Sequence, residues 1–592
     1  MIKKINIVVS LFSLVSFTAC EDFKFGNSFL EKPITTDLTI DSVFAHKKYA
    51  EQHLAEVYHS LPDFLPADGR FKWNMLETLT DLCDGGNDYY TGQISSSTAA
   101  PYNLNDVGGV KVSSGPSGIR QAYIFLENVD RVPDMTSQEK MIRKGEAKLI
   151  IAYHNMDMLR YFGGMPWATG SYTAEDELNF TRLTVEEYVK KITDLCTEAA
   201  SMLPWSVSTT DEGRMTAAGA LALKNRVLHF AASPLFNSDE PFMKGEASDA
   251  KHTWYGNYDK ERWKQALDAG LEFLEANMNN GNYYSLNNTG NPRKDFLTGY
   301  YDRCNHEALI VSHRYNKIDN IWRRPITVIR WGNGGIPTAV YADMFEWKDG
   351  TAFDWDNAEH KAHPFFDENG KMTRDPRLYE TLWVNQDAFR GRKFEMYDGG
   401  RDTWNGADNV NSFGKSLYNG YGMRKFCLDQ NQELFGHYYQ CPLMRLSEIY
   451  LNIAEEMNEL GLANTPDKFN RTAYDYVNLV RNRVGMPDIT PERYPEGEAL
   501  LEAILHERAV EFGFEEVRFF DINRRKRSDL LKKDYYRLKT YKDGDGFRYE
   551  RAIGETERER VWVNNWSDRY YLLPIPVDEI NKKYGLVQNP GW

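Results

Sequence analysis

Cysteine is scarce in this chain, with six in 592 residues and no C-x-x-C pair. Beyond Cys20 the other five, Cys83, Cys196, Cys304, Cys427 and Cys441, are widely spread and odd in number, which excludes full pairing and argues against a disulfide scaffold or a zinc knuckle. A positive balance is also missing. The formal charge is -15, and losing Lys3 and Lys4 with a cleaved leader would make it more negative, so nucleic acid and anionic lipid surfaces are poor partners. No apolar run after the first twenty residues approaches the roughly 18 residues of a membrane helix, so the mature part is not expected to cross a bilayer.

Enzyme signatures fail in turn. There is no P-loop, "SSGPSGI" lacks the fifth-position glycine of a nucleophile elbow, and Gly332, Gly334 and Gly335 do not form G-x-G-x-x-G after a strand. "HERAVEF" places His506 and Glu507 on a helix, but Val510 stands where a zincin needs its second histidine. Asp543 and Asp545 in "YKDGDGFRY" resemble a fragment of a calcium loop without its remaining ligands, and a tight turn is the expectation. No catalytic residue, metal ligand or cofactor is assigned. A carboxylate pair suited to glycoside hydrolysis stays open, because 86 Asp and Glu always bring some pair close and sequence does not measure their separation.

The apolar run that does exist lies at the start. A basic opening, Met1 to Lys4, is followed by "INIVVSLFSLVSF" and small Thr18 and Ala19, the anatomy of a secretory signal too short to span a bilayer. Because Cys20 follows at once, residues 1–19 resemble a bacterial lipoprotein signal, with Phe17 a mild departure from the usual leucine. An ordinary secretory leader with an incidental cysteine is the bland alternative. Glu21 and Asp22 resemble the retention signal that sends Bacteroidota lipoproteins to the outer face of the outer membrane. Cys20 is therefore expected to be a lipid anchor, the chain's sole attachment to the membrane.

Aromatic residues are plentiful, 14% of the chain, and most are expected in the core. Six of the fourteen Trp (Trp322, Trp331, Trp347, Trp355, Trp383 and Trp404) nevertheless fall between residues 322 and 404. The regular parts read as paired helices. "TVEEYVKKITDLCTEAASMLP" opens on a capping box, Thr184 and Glu187, and carries Val185, Tyr188, Ile192, Leu195, Ala199 and Met202 at steps of three and four. "PLMRLSEIYLNIAEEMNELG" repeats this with Leu443, Leu446, Tyr450, Ile453, Met457 and Leu460. In its neighbour Thr465 is read as N-cap and Pro466 as first helical residue, with Ala473, Val477, Val480 and Val484 on one face. Similar helices are expected at about 42–60, 117–132, 141–162, 216–232, 260–278 and 497–515. The fold class is thus mainly α, a scaffold of tetratricopeptide-like helical hairpins carrying a large irregular region at about 280–440, rich in Gly, Asn, Asp and aromatics.

Seven stretches in order, "FLEKPITTDLTIDSVF", "YFGGMPW", "RMTAAGALALKNRVLHFAASP", "MRLSEIYLNIAEEMNE", "YVNLVRNRVGMP", "ILHERAVEFGFEEVRFFDINRRKR" and "YLLPIPVDEINKKYGLVQNPGW", resemble the successive motifs of the SusD/RagB family. The resemblance runs from Cys20 to the last residue and implies a leader at 1–19, an N-terminal helical region at 20–235 and a C-terminal region at 236–592. It also implies a non-catalytic surface lipoprotein of the outer membrane that captures glycan and delivers it to a SusC-like TonB-dependent transporter. A surface glycoside hydrolase is the alternative. The family pattern usually has Gly where Glu516 stands, which leaves the local turn open. Along that motif Arg508, Glu511, Glu515, Arg518, Asp521 and Arg524 recur at helical spacing, and a structural ion-pair network is expected. The C-terminal stretch reads as an extended segment and a packing clamp.

Sugars offer flat C–H patches above rings of hydroxyls, so a binding site needs an exposed aromatic face bordered by planar polar groups. "DGGNDYYTGQ" supplies Tyr89 and Tyr90 beside Asn87, Asp88 and Gln93, in a part of the chain where the family tends to carry ligand contacts. "NIWRRPITVIRWGNGG" supplies Trp322 and Trp331 beside Arg330 and Asn333. Trp331 is the best single candidate for a stacking platform. For each of these rings, packing is the competing role.

Replacing Cys20 with Ala is expected to release soluble protein or leave an unprocessed precursor. Palmitate labelling and washed outer membranes provide the check. A Cys20→Ala chain that still labels and partitions wholly with membranes would remove the anchor assignment.

Overall fold

The computed structural model describes residues 39–62, 76–84, 95–97, 115–173, 176, 181–315, 336–389, 391–403, 417–427, 429, 438–533, 535–555 and 566–592. Among the described residues of the first half there are six long helices: α1 (Lys47–His59), α2 (Gly115–Asn128), α3 (Ser137–Phe162), α4 (Val185–Met202), α5 (Ala217–Ala232) and α6 (Glu261–Asn279). Each packs on the next, the serial contact of a helical-hairpin scaffold. The start of α4 shows the cause. The Glu187 amide donates to Thr184 Oγ1 (3.2 Å) and the Thr184 amide to the Glu187 carboxylate (3.0 Å), so two orphan donors are satisfied locally. Val185, Tyr188, Val189, Ile192, Cys196 and Ala199 then face the core. Leu195 and Met202, expected on that face, sit at its half-exposed margin.

After α7 (Pro292–Tyr301) a second helical run follows: α8 (Leu446–Glu459), α9 (Ala473–Arg483), α10 (Glu498–Glu511) and α11 (Arg518–Arg524). It is joined to the first where α8 packs on α6 and α5. Two readings need correction. Leu443 is not helical but lies in a strand. The helix expected from Thr465 starts at Ala473, because Asp467 Oδ1 accepts the amides of Phe469 (2.8 Å) and Arg471 (3.0 Å), holding a turn, and Thr472 forms the capping box with Asp475.

Strands are few and paired in ribbons: β1 (Cys83–Asp84) with β3 (Ile336–Pro337), β2 (Ala308–Tyr315) with β6 (Tyr438–Arg445), β4 (Leu382–Trp383) with β5 (Gly422–Met423), and β7 (Tyr536–Asp543) with β8 (Gly546–Ile553), all antiparallel. The β2–β6 ribbon closes off the irregular region. In the "YKDGDGFRY" stretch, Gly544 and Asp545 form the two-residue turn of the β7–β8 hairpin, with Gly544 at φ +58. Within the tryptophan-rich segment, Trp347, Trp355 and Trp383 are buried. Trp347 stacks on His360 (centroids 4.1 Å apart), and Trp355 Nε1 donates to Asp343 (3.0 Å) and Tyr536 (2.8 Å), so packing accounts for these three. Trp322, Trp331 and Trp404 lie outside the described residues. At the C-terminus the buried Arg182 guanidinium donates to the carbonyls of Gly164, Phe162 and Val587 (each 2.7 Å), clamping the last segment to the α3–α4 connection.

Buried charges hold the second run. Glu511 accepts from Arg445 (2.8 Å), Arg483 (2.6 and 2.7 Å) and Arg377 (3.1 Å), and Glu515 from Arg445 (2.8 Å) and Lys425 (2.6 Å). Arg508 and Arg524 both bind Asp521 (2.8 Å each), Arg524 also binds Glu455 (2.7 Å), and Arg518 forks onto Asp81 (2.9 and 2.7 Å). The sequence's ion-pair run is thus split over two helices and pairs mostly with other elements. Burial alone would raise the Glu511 carboxyl, but Arg483, Arg445 and Arg377 outweigh it and hold it well below its ordinary range.

Between α10 and α11 the chain turns through left-handed Phe514 (φ +63) and Glu516 (φ +59), a backbone region that favours glycine, the residue the resemblance leads one to expect at 516. The Glu516 amide donates to the buried Glu77 carboxyl. Burial, then the Glu516 carboxylate, push Glu77 up to about 8.

Two outcomes follow. Glu511→Ala, which leaves Arg445 and Arg483 facing a gap, is expected to cost about 3–5 kcal/mol in denaturant unfolding, whereas a cost under about 1 kcal/mol would deny the network its role. For Glu77, the folded state keeps a proton that the unfolded chain loses above the ordinary value of 4.5. The group's stabilisation is therefore full below that pH and lost as pH rises through about 8. Glu77→Gln, which cannot ionise, is expected to flatten the decline in thermal midpoint across that window. Parallel profiles for the two proteins would place the titration elsewhere.

Candidate functional site

The candidate platform residues Asn87, Asp88, Tyr89 and Tyr90, with Gln93, and the second set, Trp322, Arg330, Trp331 and Asn333, lie outside the described residues, as does Cys20. One described flank of each of the two sets meets the other in a short ribbon. In the β1–β3 ribbon Cys83 pairs with Pro337 and Asp84 with Ile336. Asn87 is three residues after Asp84 in sequence and Asn333 three before Ile336, so the two stretches leave the scaffold from adjacent backbone.

That root is firmly made. Thr338 donates through its amide to Leu82 O (3.0 Å) and through its hydroxyl to Asp81 O (2.6 Å), while Arg518 grips the Asp81 carboxylate. Asn419 Nδ2 donates to Asp84 Oδ2 (2.6 Å) and to Pro337 O (3.2 Å), so a third segment, 417–427, is fastened to both strands. Cys83, Asp84 and Ile336 are buried, which strengthens these bonds.

From Asn419 the same segment runs to a groove of about 230 Å³ at the edge of β7. Leu538 N donates to Asn419 O (3.1 Å) and Asp398 N to Thr540 O (2.7 Å), so two segments are sewn to the strand edge that β8 leaves open. Gly420, at φ +90, is required here, since a Cβ would sit 2.4 Å from Leu538 O. Strand alternation turns Tyr536, Leu538 and Thr540 inward and leaves Arg537, Lys539 and Tyr541 half-exposed. The Arg537 guanidinium lies 4.4 Å from the centroid of Tyr418, and Arg548, opposite Tyr541 across the hairpin, 4.4 Å from that ring. Asp398, Asp402 and Thr403 also line it, with Asp402 taken up by Arg392. Sequence reasoning passed over this groove. The alternation in "YRLKTY" signals the strand, but the contribution of Tyr418 comes from more than a hundred residues away.

A second cleft, about 570 Å³, lies between α1, the segment before α5 and β2. Two of its carboxylates are engaged with neighbouring arginines, Glu51 with Arg143 and Arg214 (2.8 Å each) and Glu212 with Arg303 (2.6 Å). Among the described residues no group of three or more His, Cys, Asp or Glu is placed to hold a metal ion, and no helix is long and apolar enough to cross a membrane.

Comparison with known proteins bears on this arrangement. A family model described as the SusD family matches residues 312–592, and another, described as starch-binding associating with outer membrane, matches residues 78–228. The crystal structure of a SusD-like protein from Bacteroides fragilis superposes with a TM-score of 0.69 at 21% identity, covering 93% of this chain and 98% of that one. A SusD-like carbohydrate binding protein from the same species gives 0.63 at 20% identity over 91% and 99% of the two chains, and surface glycan-binding protein A from Bacteroides fluxus 0.57 at 17% over 93% and 100%. At these identities the likeness establishes the fold. No curated protein sequence matches the chain. The two family matches together span most of the sequence, and the chain belongs to the SusD/RagB family.

Proposed function

We propose that this protein is a cell-surface glycan-binding lipoprotein, anchored through Cys20 in the outer membrane and facing the medium, that captures oligosaccharide or polysaccharide for a SusC-like TonB-dependent transporter. The family placement supports this reading, as do the relatives whose names describe glycan or carbohydrate binding. The observation that carries the site is the β1–β3 ribbon. It pairs Asp84 with Ile336, the described residues that flank the Tyr89–Tyr90 stretch on one side and the Trp331 stretch on the other, which supports a reading in which the aromatic rings and the planar polar groups of Asn87, Asp88, Arg330 and Asn333 serve one ligand. The role is capture without bond cleavage.

Native gels containing candidate polysaccharides test this directly. Wild-type protein is expected to be retarded without releasing reducing ends, and Trp331→Ala to lose about 1–3 kcal/mol of binding with little change in thermal midpoint. Normal binding by both Trp331→Ala and a Tyr89/Tyr90 double alanine would move the platform elsewhere, and reducing-end release would turn the reading to a hydrolase. A mild-detergent pull-down through a tag on this chain is expected to recover a large barrel protein. Recovery of this chain alone at every detergent and salt would count against the transporter.

A further inference from the structure

We infer that the cleft walled by Trp254, between α5 and α6, is a separate sugar-binding site that selects neutral rings. It holds about 450 Å³, room for a small ligand, and its described lining comes wholly from the connection between those two helices. Trp254 stands apart from the other tryptophans. Among the described residues each of the others meets an aromatic ring, whereas Trp254 meets neither a ring nor a cation and does not pack on the main hydrophobic core. Its half-buried indole is nevertheless fixed. Nε1 donates to Ser248 O (2.8 Å), and the Ser248 hydroxyl donates in turn to Met243 O (2.7 Å). An indole held by its edge, with no ring or cation on its face, leaves that face to a ligand, and the flat C–H side of a sugar stacks there.

The charges around the ring point the same way. Asp239, Glu240, Lys244, Asp249 and Lys251 line the cleft, and their side chains form no hydrogen bond or ion pair with any described residue, unlike Glu51 and Glu212 in the cleft beside α1. Donors and acceptors thus stand side by side with their hydrogen-bonding capacity intact, which matches hydroxyls, each of them both donor and acceptor. An anion would meet three carboxylates and a cation two ammonium groups, so a neutral ring is the ligand that uses both signs. Lys251 is also positioned. It is left-handed (φ +58), and its stem lies along Gly256, where an added Cβ would come 2.9 Å from Lys251 Cε. Gly256, itself at φ +95, leaves room for that stem at the wall of the cleft. No residue of the candidate platform takes part, so the site stands on its own geometry.

Protein labelled with fluorotryptophan reads this site directly, since the fluorine resonance of Trp254 is identified by its absence from Trp254→Phe. Titration with maltose, cellobiose, xylobiose and mannobiose is expected to shift that resonance saturably for at least one sugar, and equally in a chain carrying Trp331→Ala, Tyr89→Ala and Tyr90→Ala. Glucuronate, an anion, and choline, a cation that can itself stack on indole, are expected to bind more weakly than that sugar. Lys251→Ala and Asp249→Ala are each expected to weaken it about tenfold while leaving the sugar-free resonance in place, which shows the ring still seated. No shift with any of the four disaccharides, a shift lost together with the platform residues, undiminished binding by both charge variants, or tighter binding of glucuronate or choline would overturn the site. The platform's own test, retardation by polysaccharide and its loss in Trp331→Ala, is read separately and does not decide this one.

Discussion

Glu511 sits with almost no access to water, and Arg445, Arg483 and Arg377 close around it from a strand, from α9 and from the irregular region. Removing four such charges from water is costly, and their mutual attraction repays this only because nearly every oxygen and guanidinium edge finds a partner at 2.6–3.1 Å. Geometry of that quality ties the irregular region to the helices. Arg377 also binds Glu507 and Asp375, and Glu515 passes the network to Lys425, which lies in the same segment, 417–427, as Asn419. The site's roots are thus held by a chain of charges that begins in the helical scaffold. A separate cluster, in which Arg524 joins Glu455 to Asp521 and Asp521 also takes Arg508, links α8, α10 and α11, and α11's Arg518 pairs with Asp81, two residues before β1.

Helices were legible where their causes are local. Thr184 and Glu187 are three residues apart and satisfy each other, so spacing alone announces α4. The misreading at Thr465 has an equally local cause working the other way, since Asp467 can cap a turn of its own and delays the helix to Thr472. The charges of "HERAVEFGFEEVRFFDINRRKR" announce a network, but not its members. Glu511's partners lie at positions 377, 445 and 483, and Arg518 reaches back to Asp81. No period in the chain relates those positions, because the fold alone makes them neighbours.

The site divides in the same way. Aromatic and planar polar residues mark two stretches for sugar stacking, yet nothing in either stretch says that they belong together. What the fold adds is the pairing of four buried residues, Cys83 and Asp84 against Ile336 and Pro337, which flank the two stretches and look unremarkable as sequence. The tryptophan cluster was ambiguous for a different reason. Trp347, Trp355 and Trp383 satisfy core packing, and composition does not separate a ring that stacks on His360 from one that could stack on a sugar.

A binding protein of this construction separates two demands that oppose each other. Ligand-contacting stretches must suit a particular glycan, while rigidity must come from elements that do not change with it. Here rigidity resides in the ribbon, in Asn419 and in the salt-bridged layer beneath, all buried and all independent of the ligand. The described members of the Glu511 network all lie outside those stretches, so the charges that fix the base are supplied from elsewhere in the chain. The cost of holding the site open is then borne by the scaffold, where buried pairing supplies it, rather than by the binding surface.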